Sequence, residues 1–355
     1  MLNRYKTWIG ISLTAILLIA FLLTVDVVKM FDSLVEANYL FILPAIAMYL
    51  VSLLFRTLRW KMLLTHMQHI SMSRLYPVVV VGYMANNILP MRLGEFVRSY
   101  YLREREGVSV SAALATVFVE RVIDALTLLI FIVVIAFIVP LGVGGVVEGL
   151  GERSGIAWPV IVLCATIPFV LCFTVFLLVA RHPEFTLKIT AKIFSILPGR
   201  IKTVSYELCK TFVAGLSALK SPQLIMGMFI VSVPIWLFEA ALFYLIGISF
   251  DFQNHLGGHF NLALISVLVT AITNIGASIP AAPGGIGLFE IIARETLVLI
   301  PLGIIDRSAA AGYAAVVHAT LLIPIILLGQ IILWWDNISL NRLWILGKNS
   351  TEDKD

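Results

Sequence analysis

The sequence predicts an all-α polytopic membrane protein made of two inverted repeats, each with the order span, span, re-entrant hairpin, span. The chain is 60% hydrophobic and only 13% charged, which is more apolar surface than one soluble core can bury. Six apolar segments reach the roughly 20 residues that a helical span needs. Two further apolar segments, 75–90 and 262–300, are associated with proline and glycine and do not have the length of a single span.

The predicted spans follow from length and hydropathy. They lie at 8–25, 39–57, 112–140, 157–180, 222–248 and 308–334. The first has a basic start but no small-residue cleavage site before Asp26, so we interpret it as a retained span and not as a signal peptide. The segment 75–90 is short and runs into a charged motif, whereas 262–300 is too long for one span and is cut by prolines and glycines. Both are therefore predicted to be hairpins.

The distribution of Lys and Arg predicts the orientation, because short basic loops lie on the cytoplasmic side. The loop before 75–90 carries four basic residues, and the stretch after it carries four arginines. A hairpin that enters and leaves on the cytoplasmic face keeps both clusters inside. The same rule places both termini in the cytoplasm and the loop 249–261 outside. The segment 183–220 is predicted to be a cytoplasmic amphipathic helix that connects the halves.

This assignment divides one membrane domain, residues 1–355, into a first repeat at 1–140 and a second at 157–334. The fold then has six full spans plus two hairpins, or eight transmembrane segments if the hairpins are counted as spans. Inverted repeats with broken helices that face one another are typical of secondary transporters. Irregular backbone at membrane depth must be buried in protein or line a wet cavity, so we expect the hairpin tips to meet inside.

The first hairpin carries the stretch Ala85-Asn-Asn-Ile-Leu-Pro-Met-Arg-Leu-Gly-Glu-Phe-Val-Arg98. Arg92, Glu95 and Arg98 recur every three residues, which places them along one side of a helix. A guanidinium fork matches a phosphate, so we expect Arg92 or Arg98 to bind a lipid phosphate. The alternative is that Glu95 only neutralises the arginines so that the hairpin can insert. The other predicted site residues here are Asn86, Asn87, Pro90 and Gly94.

A second charged cluster lies within the span 112–140 and consists of Glu120, Arg121 and Asp124. Ionisable side chains at membrane depth cost roughly 2.5–3.5 kcal/mol each on insertion scales, which makes them candidates for function. These three residues are close together on one helix. A structural clamp to an arginine of the first hairpin and a direct role in substrate binding are equal alternatives.

The second hairpin carries Gly276-Ala-Ser-Ile-Pro-Ala-Ala-Pro-Gly-Gly-Ile-Gly-Leu-Phe-Glu290. Its glycines permit a tight turn, and the free N–H groups of the helix that follows would attract a phosphate. Close helix packing is the alternative reason for the glycines. Glu290 and Arg294 stand at i,i+4, and we expect them to pair with each other. The predicted site residues of this half are Asn274, Pro283, Gly284, Gly285, Gly287 and Glu290.

Five further residues are noted for their position. Arg56, Arg59 and Trp60 are predicted to form an interfacial belt at the cytoplasmic headgroups. Glu239, alone in its span, is interpreted as bonding to a neighbouring helix in preference to carrying a proton or cation. His318 is interpreted as a packing residue with satisfied polar groups in preference to a proton relay. HExxH, P-loop, GxSxG and paired-cysteine motifs are absent, so neither a metal nor a cofactor is predicted.

Four motifs follow one another along the chain: Arg56-Thr-Leu-Arg-Trp60, the block 86–98, Glu120-Arg-Val-Ile-Asp124 and Pro280-Ala-Ala-Pro-Gly-Gly-Ile-Gly-Leu-Phe-Glu290. Together they resemble the lysylphosphatidylglycerol synthase transmembrane (flippase-like) family. The resemblance implies a membrane domain that moves lipids, such as aminoacylated phosphatidylglycerol, between leaflets. Larger members append a soluble aminoacyl-transferase domain. Because only a short stretch follows the last predicted span, we expect no such domain here, and the resemblance implies transport without lysyl transfer.

The sequence therefore predicts a flippase or scramblase in a prokaryotic cytoplasmic (inner) membrane, which moves a phospholipid or a polyprenyl-linked lipid. No nucleotide site is visible, so transport would be downhill or driven by an ion gradient or the membrane potential. One alternative is a membrane transferase with Glu95, Glu120, Asp124 or Glu290 as general base, and another is an accessory subunit of a lipid-synthesis complex. A membrane lipid is the expected ligand. A lipid-synthesis enzyme and a second copy of the chain remain open as partners, and nucleic acid is not expected.

Overall fold

The computed structural model describes residues 21, 23–89, 93–138, 158–196, 198–278, 283–299, 303–336 and 338. Within these residues the chain is helical and contains no strand. Most of the predicted first span, 8–25, lies outside them, as do the predicted hairpin tips at 90–92 and 279–282. The all-helical prediction is confirmed for the described part of the chain.

The helices follow the hydropathy pattern closely. They are α1 (Val27–Glu36), α2 (Ile42–Leu64), α3 (Met72–Ile88), α4 (Gly94–Glu106), α5 (Val110–Ile138), α6 (Trp158–Arg181), α7 (Pro183–Phe194), α8 (Gly199–Gly215), α9 (Pro222–Ser249), α10 (Phe252–His255), α11 (His259–Gly276), α12 (Leu288–Leu299) and α13 (Arg307–Trp335). Short 3₁₀ turns at Tyr39–Phe41, Leu216–Lys220 and Pro283–Gly285 join some of them.

Several of these helices are long and apolar enough to cross a membrane. Within the described residues, four pass by length and composition: Tyr39–Leu64, Pro222–Ser249, His259–Gly276 and Arg307–Trp335. A fifth is added if the pair Thr166–Arg181 and Pro183–Phe194, which is bent by 101°, counts as one span. The protein is therefore a polytopic helical membrane protein, and its division into six spans and two hairpins stays a prediction.

The helices α3 and α4 form an antiparallel pair, which we call the first hairpin. A Cβ atom added at Gly94 would lie 2.4 Å from the carbonyl oxygen of Gly82 and 2.3 Å from the amide nitrogen of Asn86. Only glycine therefore permits this close approach of the two backbones. At the far end of the pair, Arg74 Nη1 lies 3.4 Å from Glu106 Oε2. Both open ends of the first hairpin thus lie at the same end of the bundle.

The helices α11 and α12, with the turn between them, form the second hairpin. The turn enters α12 through Gly284, Gly285 and Gly287, which have φ angles of 63°, 73° and 88°. This left-handed backbone favours glycine because it has no Cβ. A Cβ added at Gly284 would lie 3.1 Å from the carbonyl oxygen of Asn87, at the end of α3. The described turn of the second hairpin therefore touches the first hairpin.

The two halves of the chain hold each other through reciprocal packing. The helix α2 packs along α9. The first hairpin packs through α3 against α13, and the second hairpin packs through α11 against α5. Each hairpin is consequently held by a long helix from the other half.

Contacts between distant residues define two ends of the bundle. At one end, Arg105 Nη1 of α4 lies 2.9 Å from Asp336 Oδ2, just beyond α13, and the Tyr101 hydroxyl also donates to Asp336. At the other end, the N–H of Asn38 donates to the carbonyl oxygen of Ser249 at 2.9 Å. We call these the Asp336 end and the Asn38 end. The first hairpin opens at the Asp336 end.

The predicted amphipathic helix at 183–220 is a pair of helices, α7 and α8, followed by the short turn Leu216–Lys220. The break falls near Pro198, which precedes α8 and cannot continue α7. The helix α8 packs on α5, and α7 packs on α8. Their cytoplasmic position stays a prediction.

Surface labelling tests the predicted orientation. Glu104 is exposed at the Asp336 end and His255 is exposed at the Asn38 end. We expect a membrane-impermeant maleimide to label His255→Cys in intact cells, in a background without native cysteines, because this loop is predicted to lie outside. Glu104→Cys should react only after the membrane is permeabilised. Labelling of Glu104→Cys in intact cells would contradict the predicted hairpin orientation.

Candidate functional site

Eight charged side chains meet in the interior and form what we call the charged network. Six of them are buried, with 4% exposure or less. Within the described residues the network contains equal numbers of positive and negative groups, so its formal charges cancel. Its members come from α2, α4, α5 and α9 and are Arg56, Arg59, Arg98, Arg121, Glu95, Glu120, Asp124 and Glu239.

Two arginines of α2 make the shortest contacts in the network. Arg56 Nη2 lies 2.5 Å from Glu239 Oε2 of α9, and Arg59 Nη1 lies 2.6 Å from Asp124 Oδ1 of α5. The indole N–H of Trp60 donates to Thr116 Oγ1 at 2.9 Å. The prediction that Arg56, Arg59 and Trp60 form an interfacial belt is therefore wrong. Their exposures are 3%, 0% and 0%, because buried acids and a hydroxyl on other helices bind them.

Two further ion pairs fasten the first hairpin to α5. Arg98 Nη1 lies 2.8 Å from Glu120 Oε2, and Arg121 Nε lies 3.2 Å from Glu95 Oε1. In the first pair the arginine belongs to α4 and the acid to α5, and in the second pair the acid belongs to α4 and the arginine to α5. For the cluster on α5, the structure shows the predicted clamp to an arginine of the first hairpin.

Arg98 is enclosed within this clamp. Its guanidinium lies 3.7 Å from the ring centre of Trp60, and its exposure is 3%. It is not among the residues that line the cavity described below. The side chain of Arg98 is directed to Glu120 and Trp60 in this structure, so phosphate binding by Arg98 stays a prediction. Arg92, the alternative, lies outside the described residues, as does Pro90.

A cavity of about 160 Å³ lies between the two hairpins, next to the charged network. It has room for several water molecules or a small polar group. The indole N–H of Trp236 in its wall makes no hydrogen bond within the described residues, although Trp236 is only 3% exposed. The cavity is lined by Tyr49, Arg56, Tyr83, Asn86, Asn87, Arg121, Trp236, Glu239, Asn274, Ala277, Gly284, Gly285, Phe289, His318, Leu321 and Leu322.

One wall of the cavity is cationic and aromatic. The hydroxyl of Tyr83 accepts hydrogen bonds from Arg56 Nη1 at 3.0 Å and from Arg121 Nη2 at 3.3 Å. Glu239 accepts a bond from the side-chain amide of Asn274 at 2.9 Å, in addition to its pair with Arg56. The prediction that Glu239 bonds to neighbouring helices is therefore confirmed. It joins α2, α9 and α11.

The opposite wall is formed by the second hairpin and α13. His318 Nδ1 lies 2.6 Å from Glu290 Oε1, and His318 Nε2 lies 2.9 Å from the carbonyl oxygen of Gly284. The ring stacks on Phe289, with ring centres 4.1 Å apart and an interplanar angle of 19°. His318 therefore has two polar partners, which agrees with its interpretation as a packing residue with satisfied polar groups.

The expected pair between Glu290 and Arg294 does not form. Glu290 Oε2 accepts a hydrogen bond from the N–H of Gly287 at 2.7 Å, so the carboxylate caps its own helix. Arg294 points elsewhere, to Glu295 Oε1 at 2.6 Å and to Thr24 Oγ1 at 2.9 Å. The cap also removes the Gly287 N–H from the set of free donors that was predicted to attract a phosphate.

The predicted site residues thus fall into three groups. The cavity brings together residues from both hairpins and α5, namely Asn86, Asn87, Arg121, Asn274, Gly284 and Gly285. The buried contacts around it hold Glu95, Arg98, Glu120, Asp124 and Glu290, while Gly94, Pro283 and Gly287 shape the hairpin backbones. Sequence reasoning missed the aromatic lining residues Tyr49, Tyr83, Trp236 and Phe289, because nothing in an apolar segment distinguishes them from packing residues.

Removing one partner of a buried ion pair tests the clamp. Arg98→Met leaves Glu120 without its nearest cation, so we expect the free energy of unfolding to fall by about 3–5 kcal/mol. The matched control is Arg103→Met, an exposed arginine of the same helix, whose change should stay within about 0.5 kcal/mol. Denaturant unfolding in detergent micelles measures both. Equal stability of Arg98→Met and the wild type would contradict the clamp.

Comparison with known proteins gives a consistent picture. Residues 7–329 match the family described as Lysylphosphatidylglycerol synthase TM region. A UPF0104 membrane protein of Methanothermobacter thermautotrophicus is 26% identical over 81% of this chain and 83% of its own length. Another, from Pyrococcus horikoshii, is 25% identical over 95% of both chains.

A third relative carries a different name. Glycosyltransferase AglD of Haloferax volcanii is 23% identical over 87% of this chain, which spans only 51% of AglD. No solved structure matches the chain. Because the family match covers most of the sequence, this chain belongs to the Lysylphosphatidylglycerol synthase TM region family.

Proposed function

We propose that this protein is a lipid transporter that moves a phosphate-bearing headgroup between leaflets through the cavity between the two hairpins. The observation that carries the proposal is the position of Arg121. Its side chain is 25% exposed, whereas the side chains of Arg56, Arg59 and Arg98 are 4% exposed or less. Arg121 also lines the cavity. It is therefore the network arginine whose side chain is the most exposed, and it lies at the cavity.

The electrostatics of the cavity suit a lipid phosphate. A guanidinium binds phosphate oxygens through two parallel hydrogen bonds. Arg121 keeps its acidic partner Glu95 on one side, so the site remains neutral when the cavity holds no anion. The amide side chains of Asn86 and Asn87 in the same cavity supply further polar groups for a headgroup.

The size of the cavity supports entry of the headgroup alone. Its volume of about 160 Å³ has no room for two acyl chains. The acyl chains would stay in the bilayer while the headgroup crosses. This separation avoids the cost of carrying a charged group through hydrocarbon.

The reciprocal packing of the two halves supports the transport cycle. Contacts of α3 with α13 and of α11 with α5 are what two inverted repeats would make. In this arrangement α3 and α4 are a re-entrant hairpin from one side of the membrane, and α11 and α12 are a re-entrant hairpin from the other. Rocking of one repeat against the other would open the cavity to each side in turn. We place the protein in a cytoplasmic membrane.

The family supports lipid as the substrate class, and aminoacylated phosphatidylglycerol is the first headgroup to test. The name of glycosyltransferase AglD favours a second candidate, a role in glycosyl transfer. The geometry supports this transferase less well. Of the carboxylates proposed as general bases, Glu95, Glu120 and Asp124 lie in ion pairs with arginines, and Glu290 contacts His318. None of the four lines the cavity.

Lipid movement in proteoliposomes tests the proposal. Purified protein would be reconstituted with labelled phosphatidylglycerol, lysyl-phosphatidylglycerol or a polyprenyl phosphate, with and without an imposed ion gradient. We expect Arg121→Gln to slow translocation about tenfold or more, because a charge-assisted contact contributes about 1.5–3 kcal/mol. Asn87→Ala should also slow it while leaving the charged network intact.

The matched control is Arg103→Gln, an exposed arginine outside the cavity, which should translocate lipid at the wild-type rate. Size-exclusion chromatography and circular dichroism would show that each variant is folded. Absence of translocation for every lipid, under every gradient, would overturn the proposed function. Equal rates for folded Arg121→Gln and the wild type would overturn the role of Arg121.

A further inference from the structure

The two hydrogen-bond partners of His318 require one proton more than a neutral imidazole and an ionised Glu290 carry together. Its two ring nitrogens face Glu290 Oε1 at 2.6 Å and the carbonyl oxygen of Gly284 at 2.9 Å. A carbonyl oxygen and an ionised carboxylate only accept hydrogen bonds, and a neutral imidazole has one N–H to donate. Both contacts are satisfied only when Glu290 and His318 together carry a second proton in addition to the one N–H of the neutral ring. Either His318 is an imidazolium beside a carboxylate, or a protonated Glu290 donates to a neutral ring.

We infer that Glu290 and His318 form a proton-binding site that latches the second hairpin to α13, and that proton release there accompanies lipid movement. The geometry of Glu290 and His318 supports the proton-binding site by itself. Its coupling to lipid rests on the proposed function. The protonated pair is neutral as a unit, whereas loss of the proton leaves one negative charge.

Burial favours the protonated pair. Glu290 is 9% exposed and His318 is 4% exposed, so an uncompensated charge here would be costly. The N–H of Gly287 and the start of α12 stabilise the carboxylate form of Glu290, which places the proton on His318. Stacking on Phe289 holds the imidazole in the plane that both acceptors require.

Other titratable groups share the cavity with His318. The helix α2 contributes Tyr49 and Arg56, α3 contributes Tyr83, α5 contributes Arg121 and α9 contributes Glu239. Arg56 and Glu239 neutralise each other at 2.5 Å. A phosphate bound at Arg121 would add negative charge to the cavity and so favour the protonated pair. Binding of phosphate and of the proton would then strengthen each other, since such coupling is reciprocal.

Loss of the proton would weaken the latch at the place where the hairpins touch. With one N–H, His318 can donate to Glu290 or to Gly284, but not to both. The carbonyl of Gly284 belongs to the left-handed glycine turn, and Gly284 packs against the carbonyl of Asn87 in the first hairpin. Release of this turn would free the second hairpin to move relative to the first, which opens the cavity.

Glu290→Gln removes the proton that the pair can release but keeps the hydrogen bonds of the latch. The glutamine N–H₂ can donate to Nδ1 of a neutral His318, and its carbonyl oxygen can accept from the N–H of Gly287. The latch keeps its contacts but has no proton to release. The control is His259→Gln, an exposed histidine that bonds to the Tyr244 hydroxyl at 3.0 Å.

Spectroscopy on the protein in lipid nanodiscs tests the site without transport. Nitrogen NMR with ¹⁵N-histidine reports which ring nitrogens carry protons, and the spectrum of His318→Gln identifies the His318 signals. Infrared difference spectra between the wild type and Glu290→Gln report whether Glu290 is protonated. We expect the pair to keep its second proton at neutral pH. A neutral His318 beside an ionised Glu290 would overturn the inference.

Proteoliposomes with an enclosed pH-sensitive dye test the coupling. We expect wild-type protein and His259→Gln to move protons with lipid and to respond to a pH gradient, and Glu290→Gln to lose the proton movement and the gradient response. Wild-type lipid movement that ignores the gradient and moves no protons would overturn the coupling and leave the proposed function standing. A protonated pair without any lipid movement would support the proton site and overturn the proposed function.

Discussion

The structure depends on one constraint, which is that charges in the interior of a membrane protein must be neutralised where they lie. Four arginines and four acids meet between α2, α4, α5 and α9, and most of them are excluded from solvent. A single unpaired charge there would be strongly destabilising. Because the partners come from different helices, the network has low energy only when those helices are correctly placed. Neutrality of the network thus specifies how the first hairpin sits against both halves of the chain.

The same constraint shapes the cavity. Its walls are the edge of the charged network on one side and His318, the partner of Glu290, on the other, with aromatic rings between them. Arg121 is the network arginine whose side chain is the most exposed, and it lines the cavity. The two hairpins meet at Gly284 and Asn87, and in the proposed transport cycle a small displacement there would change access to the cavity. The proposed sites of headgroup binding, protonation and hairpin movement therefore lie within one small region.

Sequence reasoning predicted the helices and the breaks between them well, because hydropathy and the Gly and Pro breaks are local signals, while re-entrant insertion of the hairpins stays a prediction. It predicted that the hairpins face each other, and Asn87 and Gly284 do meet. It did not find the partners of buried charges, since Arg56 and Glu239 are 183 residues apart in the chain. The helical i,i+4 rule suggested Glu290 with Arg294, but a capping bond to Gly287 and the ring of His318 compete successfully for that carboxylate. The rule for basic loops likewise could not distinguish Arg56 from an interfacial arginine.

The most direct test of the account is to find where a lipid headgroup binds. A phospholipid with a photoreactive group on its headgroup would be cross-linked to the protein in nanodiscs, and the modified residues identified by mass spectrometry. The account predicts adducts on cavity residues of both hairpins and α13, such as Asn87, Asn274 and Leu322, and competition by unlabelled lipid. Adducts confined to the outer faces of the helices, with none in the cavity, would contradict it.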